Sequence, residues 1–565
     1  MNKLLKHFPF KTIRTAQENI LNKIEPHLDD PNIKYIIIEA GTGVGKSAIA
    51  KTLSEYYGNS YLLTATKSLQ EQYKDEFYNF SVKVAKGKAN YQCIVDGDLT
   101  CDKGVCKTNK SVFNQCNNGE HISCPYFQAL NAAKSSEMFV SSYAFFLSYR
   151  EGDKIGLPAR DLIVIDECHL LDDHLIELAK FKLDMDKMEK MYHLSEGDIE
   201  FSDVVKWRKK FKPNDDKNNL DVLQIIIERL TKKITKNTKK IFEYGQLESN
   251  KQFLSAEQLS EFEKIDVLAL DSENNDIKRL ISKIEKYRDT MNNGNWVTAI
   301  KEDGRGFFAV PISSKELFEK YIGKTARKKI VFMSATIFGK KNFCDELGLD
   351  PEKTLYIQET SAFDPKRSPI IIHPCLSFRQ GEYEQSIPSA AKEVTNIINF
   401  FKSSKGIIHT GNYKVANFLT YHIKSRRFIY RMNNESNEDL IMRHTSNRKN
   451  TILVSPSMMN GVDLKDDFSR FQIIMKLPYL SLQDPRIKYI SQHNFSMYAV
   501  KMLREFMQAC GRSTRSENDW SVTYVLDKAF VRIFNQYKHL IPSLTKRMIS
   551  YDDFDIKEYI NYIKK

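Results

Sequence analysis

Apolar residues in this chain come in short unbroken blocks closed by glycine or by small hydroxyl residues, and the blocks alternate with stretches at helical spacing. Unbroken apolar blocks of this length predict strands buried on both faces of a parallel sheet. Tyr35 to Ile38 is the first; it breaks into a loop with Gly41, Gly43 and Gly45, and an alanine-rich helical pattern starts at Ser47. "SYLLT", "DLIVID" and "KKIVFMSATI" repeat the strand pattern, and the last third adds "GIIHT", "NTILVSP", "FQIIMKLP" and "VTYVL", with helices through "FSMYAVKMLREFMQACGR". Between about Asp172 and Thr325 the texture turns helical and charged. There Leu223, Ile226, Ile227, Leu230 and Ile234 share one face, while Lys232, Lys233, Lys236, Lys239 and Lys240 crowd the other side or the helix end. "NDIKRLISKIEKY" repeats that pattern, so a helical insertion between parts of an α/β domain is expected.

A chain of 565 residues is too long for one core and suggests about three or four domains. Lys+Arg 85 against Asp+Glu 72 gives a net charge of +13, which favours a polyanionic partner. No apolar run approaches the roughly 20 residues of a membrane span, and the first residues lack a signal-peptide core, so a soluble, cytoplasmic protein without membrane contact is expected.

Strand, glycine loop and helix together make a phosphate site. The backbone N–H groups of Gly41, Thr42, Gly43, Val44 and Gly45 can curl round a phosphate, Lys46 supplies a charge for the β and γ phosphates, and Ser47 offers a hydroxyl to Mg²⁺. ATP with Mg²⁺ is the expected ligand. The strand "DLIVIDECHLL" delivers Asp166 and Glu167, one carboxylate for the Mg²⁺ shell and one to orient or deprotonate the attacking water. His169 could couple this site to another motif. Upstream, Gln17 could read an adenine edge, with Arg14 close by. Thr64, Thr66 and Ser68 suit a nucleic-acid phosphate or a helix cap. Ser334, Ala335 and Thr336 could relay between ATP and a bound strand. "NGVDL" sets Gly461 and Asp463 in a loop after a strand, and "QACGRSTRS" sets Gln508, Arg512 and Arg515 near a helix end, where a guanidinium could reach a γ-phosphate from a facing domain.

Cys93, Cys101, Cys106, Cys116 and Cys124, five of the nine cysteines, fall in one short basic stretch. In an intracellular protein such a cluster argues for a metal site rather than disulfides, and four thiolates suit zinc or an iron–sulphur cluster. The spacing lacks the paired C-x-x-C of a zinc ribbon, which favours iron and sulphur, with one cysteine to spare. Lys83, Lys86, Lys88, Lys103, Lys107 and Lys110 interleave with Tyr91, Phe113 and Tyr126, a mixture fit for a nucleic-acid backbone and bases.

"EAGTGVGKS", "TATKSLQEQ", "KGKANYQC", "CPYF", "DECH", "MSAT", "GVDL" and "QACGRSTRS" occur in the order seen in the superfamily 2 helicases of the XPD and DinG group, which the chain resembles over nearly its whole length. The resemblance implies an α/β fold: two RecA-like motor domains, with a cysteine-rich iron–sulphur insertion and a helical arch insertion in the first. The expected boundaries are 1–85, 126–175 and 326–340 for the first motor, 86–125 for the cysteine-rich domain, 176–325 for the arch and 341–565 for the second motor. By position, Lys46, Ser47, Asp166 and Glu167 match the ATPase residues, Gln17 the adenine-reading glutamine, and Gln508, Arg512 and Arg515 the arginine motif. Cys93 and Cys124 match the outer ligands of a 4Fe–4S cluster. The inner two stay open among Cys101, Cys106 and Cys116. Asn460, Asp466 and Ala529 depart from the group, which usually has Glu, Gly and Arg there. The expected activity is ATP-dependent unwinding of duplex DNA, 5′ to 3′, by a monomer on single-stranded and forked DNA, with DNA–RNA hybrids as further substrates. The alternatives are a translocase that remodels R-loops or protein–DNA complexes, and an ATP-switched nucleic-acid-binding scaffold.

Overall fold

The computed structural model describes residues 3–41, 43–78, 81–107, 110–118, 123–151, 156–184, 216–249, 255, 259–260, 266–291, 294–300, 306–359, 364–432, 435–456, 464, 466–511, 519–541 and 545–564. Thr42, Asp463, Arg512 and Arg515 lie outside the described residues, as do Asn460 and Gly461. Two seven-stranded sheets organise the chain, and every strand pairing in them is parallel. In spatial order the first runs Thr354–Glu359, Tyr35–Ala40, Ala326–Ser334, Arg160–Asp166, Ser60–Thr64, Met138–Ser142, Val82–Val84.

Alternation explains why the middles of the central strands are apolar. Ile37, Leu63, Ile165 and Phe332 pack into one layer, while their neighbours Ile36, Ile38, Leu62, Val164 and Val331 pack into the layer on the opposite face. Covered on both sides, the middle of a central strand has little room for a polar residue. Among the polar residues at the C-terminal ends, Glu39 and Asp166 carry the charges that serve the site. The first sheet also extends past the boundary at 340 expected from sequence, because Thr354–Glu359 pairs along the whole of Tyr35–Ala40.

The second sheet runs Phe428–Ile429, Ile452–Ser455, Gly406–His409, Phe471–Ile474, Val522–Asp527, Ile370–Leu376, Met548–Ser550. The region expected to be only helical carries a third sheet, antiparallel, in the order Phe181–Asp184, Gly306–Pro311, Trp296–Ile300. Two long helices, Asp216–Ser249 and Val267–Thr290, pack on it through Leu223, Ile227, Leu230, Ile277 and Ile284. Lys232, Lys236, Lys239 and Lys240 are on the exposed side, as the periodicity requires. The helix that leaves the cysteine-rich stretch, Pro125–Ser135, is held at its C-terminal end by the buried Arg160 guanidinium, which donates to the carbonyls of Ala133, Lys134 and Ser136 at 3.1, 2.8 and 2.6 Å.

Candidate nucleotide site and its links between the motors

The loop between Ala40 and Lys46 turns on two glycines in the left-handed region, Gly43 at φ 83° and Gly45 at φ 85°. A Cβ on Gly45 would also crowd the Gln17 side-chain amide, although the left-handed turn is what requires glycine there. Gln17 is buried against this loop. Its Nε2 donates to Gly45 O at 3.3 Å, its Oε1 accepts from Arg14 N at 2.9 Å, and the Arg14 guanidinium donates to Gly43 O. Both side chains thus brace the phosphate loop from the preceding helix. Lys46 Nζ donates to the carbonyls of Ala40 and Gly41 at 3.1 and 3.4 Å, poised where phosphate oxygens would replace them. Val44 is buried beneath the loop, and the Ser47 hydroxyl donates to Glu76 at 3.0 Å.

Asp166 ends its strand fully buried. Burial and the neighbouring Glu167 carboxylate push its pKa above the ordinary carboxylate range, against Lys46 and the Tyr73 hydroxyl, which donates to it at 3.0 Å. A group so placed favours a cation beside it. Glu167 sits at φ 54°, a left-handed conformation costly for a non-glycine residue and common at functional sites. His169 Nδ1 lies 2.8 Å from Ser334 Oγ and 3.4 Å from Glu167 Oε2. Burial and Arg504 press the pKa of His169 down to about 3, so at neutral pH it is an uncharged hydrogen-bonding link and forms no ion pair. The Thr336 backbone then donates to Ser334 Oγ at 3.2 Å, and Gln508 Nε2, from the second motor, donates to Thr336 Oγ1 at 3.1 Å. A hydrogen-bonded path thus joins His169, which lies beside Glu167, to the helix that carries Gln508.

A larger junction lies beside it. Asp172 accepts from Arg486 at 3.0 and 2.8 Å and from Lys501 at 2.8 Å; Lys501 also reaches Asp173 at 3.0 Å and Glu346 at 3.2 Å. Arg504 closes on Glu346 at 3.0 and 2.8 Å and donates to Ile337 O at 3.2 Å. Three cations of the second motor thus face three carboxylates of the first, and all but Asp173 are buried. None of these residues emerged from the sequence, although Lys501, Arg504 and Gln508 stand at helical spacing on one face and Asp172–Asp173 directly follow the acidic motif. Glu39 was also missed. Its carboxylate accepts the backbone N–H groups of Ile337, Phe338 and Gly339 at 3.0, 3.0 and 3.4 Å and the Tyr356 hydroxyl, which pins the segment after Thr336 to the phosphate-loop strand.

Two departures from the resembled group have local explanations. Asp466 adopts φ 56°, the region where glycine is free and aspartate is among the tolerated residues. Ala529 N caps onto Asp527 at the start of a helix, and its side chain reaches no polar partner. Thr66 serves as the cap of the helix Lys67–Glu76, accepting from Leu69 N at 3.3 Å.

All five clustered cysteines are buried, and none is in a disulfide. A bridge between Gln92 and Thr100 folds Cys93 back toward Cys101, and Cys101 Sγ stands 4.0 Å from Cys124 Sγ. Gly104 leaves room for Cys93, since a Cβ there would meet its sulphur at 2.9 Å. Burial, then Cys106, Cys124 and Cys93, pushes the Cys116 thiol up to about 11. Lys88 sits above the rings of Tyr126, Phe127 and Phe113 at 5.3, 5.4 and 5.9 Å and opposes the rise that burial imposes on Cys106. Among the described residues no three cysteines, histidines or carboxylates converge as ligands of a single metal ion.

Comparison with known proteins agrees with this architecture. A family described as "Type III restriction enzyme, res subunit" matches residues 10–195, and "Helicase C-terminal domain" matches residues 389–547. The ATP-dependent DNA helicase CHL1 of Candida glabrata is 23% identical over 494 residues, covering 74% of this chain and 57% of that protein, so the chain spans just over half the length of this curated relative. Among solved structures, one titled "XPD_Helicase" superposes with a TM-score of 0.65 at 15% identity, over 96% of this chain and 100% of the other. The structure of S. tokodaii Xpd4 gives 0.58 at 14%, over 95% and 100%. Among the described residues no helix is long and apolar enough to cross a membrane. The two family matches fall in order on the two parallel-sheet domains, and the superpositions show that the chain has the fold of these XPD structures.

Proposed function

We propose that the protein is an ATP-dependent DNA helicase that moves 5′ to 3′ on single-stranded DNA. The observation that carries this reading is the hydrogen-bonded path from His169, beside Glu167, through Ser334 and Thr336 to Gln508, which links the nucleotide site of one motor to the other; the direction of movement follows the resemblance to the XPD and DinG group. ATP and Mg²⁺ bind at Lys46, Ser47 and Asp166, Glu167 orients or deprotonates the attacking water, and Arg512 and Arg515 approach the γ-phosphate from the second motor. Asp463 is also assigned to the nucleotide. Hydrolysis then alternates closing and opening of the two motors along the strand.

The test is a matched pair of duplexes that differ only in the polarity of the single-stranded tail, with ATP at fixed low salt. Displacement from the 5′-tailed duplex is expected; displacement chiefly from the 3′-tailed one would overturn the polarity. ATP turnover that ignores single-stranded DNA would favour a nucleotide-switched scaffold instead. Tail binding should weaken with salt by about 0.7 in log K per phosphate contact for each tenfold rise.

Four of the five buried thiols would hold a 4Fe–4S cluster, with Cys93 and Cys124 as outer ligands and two of Cys101, Cys106 and Cys116 between them. Such a cluster spreads its thiolates over separate irons rather than one ion, and bound there it would stiffen the insertion as a wedge on the first motor. Zinc is the competing occupant. Anaerobically purified protein is expected to contain iron and acid-labile sulphide, and Cys93→Ser or Cys124→Ser to lose both; stoichiometric zinc without iron would refute the cluster.

A further inference from the structure

The helix Lys67–Glu76 touches the nucleotide site twice from behind. Tyr73 donates its hydroxyl to Asp166 Oδ2 at 3.0 Å, and Glu76, the last residue of the helix, accepts the Ser47 hydroxyl at 3.0 Å. Residues three apart share one helix face, so a single surface reaches both side chains that the helicase reading assigns to Mg²⁺. The contacts have the polarity that ligation needs. Ser47 gives its proton to Glu76, which leaves the oxygen lone pairs free for a metal, and Tyr73 fixes one carboxylate oxygen of Asp166. Tyr73 is buried at 2% exposure, and burial and then Asp166 raise its pKa well above the ordinary phenol range, so it remains a donor. Glu76 is half-buried and, across the described residues, is the acceptor of the Ser47 hydroxyl.

The other end of this helix begins at Thr66, just past the C-terminal edge of the strand Ser60–Thr64, where the Thr66 and Ser68 hydroxyls are exposed and 3.0 Å apart. That end is where the sequence offers hydroxyls to a nucleic-acid phosphate. The helix is about 15 Å long and carries both ends as one rigid element.

We propose that Tyr73 and Glu76 are positioning residues for the Mg²⁺ shell, and that the helix Lys67–Glu76 transmits the presence of a bound strand at its first turn to Ser47 and Asp166 at its last. The transmission half rests on the helicase reading; the positioning half rests on the two hydrogen bonds and on the assignment of Mg²⁺ to Ser47 and Asp166. Partners that orient metal ligands typically carry about 10–100-fold in metal affinity.

The experiment uses the full chain with Tyr73→Phe, Glu76→Ala and Glu76→Gln. The Mg²⁺ concentration for half-maximal ATP turnover is measured with and without single-stranded DNA, and strand affinity is measured without nucleotide. Phe at 73 keeps the ring that packs on Phe77, so the readout is taken on folded protein. Tyr73→Phe and Glu76→Ala are expected to raise the half-saturating Mg²⁺ by about 10–100-fold and to blunt the stimulation by DNA, with strand affinity unchanged. Glu76→Gln keeps an acceptor oxygen for Ser47 and should restore most of the Mg²⁺ response. An unaltered Mg²⁺ dependence in Tyr73→Phe and Glu76→Ala, or a glutamine variant as impaired as the alanine one, overturns the positioning role. Altered Mg²⁺ dependence with stimulation intact overturns the transmission. Wild-type turnover indifferent to DNA would count against the helicase reading, while the Mg²⁺ arm would still decide the role of the two residues.

Discussion

Glu167→Gln is expected to lower DNA-stimulated ATP turnover by roughly 10²–10⁴-fold while ATP binding survives. Glutamine has nearly the same shape, so the left-handed backbone at this position and its contacts are kept, and only the carboxylate that could orient or accept a proton from water is removed. His169 does not compensate, because burial and Arg504 press its pKa down to about 3 and leave it a weak base. Lys46→Ala should be equally inactive for a different reason. Its ammonium, which rests on the Ala40 and Gly41 carbonyls, is the charge that would meet the phosphates, so ATP binding falls together with turnover. Measuring nucleotide binding and hydrolysis separately distinguishes the two, and wild-type turnover in either variant would remove the site assignment. Arg512→Ala or Arg515→Ala should also cost up to roughly 10³-fold in turnover if either serves as an arginine finger.

The second large effect is expected at the charge junction. Replacing one member, as in Asp172→Asn or Arg504→Met, leaves an opposite charge buried without its partner, which typically destabilises by about 3–5 kcal/mol. Scanning calorimetry should show an earlier transition, and pairing Asp172→Asn with Lys501→Met should recover part of the loss because the two share one contact. A single variant that melts with the wild type would mean that water enters the junction. Acid should act in the same direction. Burial alone would raise the pKa of Asp172, but Lys501 and Arg486 outweigh it and hold it well below the ordinary range. A depressed carboxylate contributes fully above its unfolded pKa of about 3.9, and that contribution is lost as pH falls toward the folded value. The junction should therefore hold through mild acid and fail only below it.

What the sequence made legible was local. The phosphate loop, the acidic pair and the parallel-strand texture are each written within a few consecutive residues, and the structure brings Lys46, Ser47, Asp166, Glu167, His169, Ser334, Thr336 and Gln508 into one neighbourhood. The charge junction was not legible, because its partners stand 158, 314 and 329 residues apart and each, taken alone, looks like an ordinary surface charge. Tyr73 and Glu76 were hidden for a related reason: a tyrosine and a glutamate in a polar helix carry no signal until the strand beneath them is known. The three-stranded sheet escaped because its strands are short and two long helices separate Phe181–Asp184 from the other two. Thr354–Glu359 mixes polar with apolar residues, as an edge strand does.

The strand order also constrains how such a chain can be made. Among the described residues, Ala326–Ser334 is the element that joins Tyr35–Ala40 to the rest of its sheet, and the other neighbour of Tyr35–Ala40, Thr354–Glu359, comes later still. On a ribosome adding roughly 5–20 residues per second, the phosphate-loop strand would wait on the order of 15–60 s for its first sheet partner. Throughout that interval Ile36, Ile37 and Ile38 form an apolar segment with unpaired backbone, a ready site for chaperones or for misassembly with a neighbouring nascent chain.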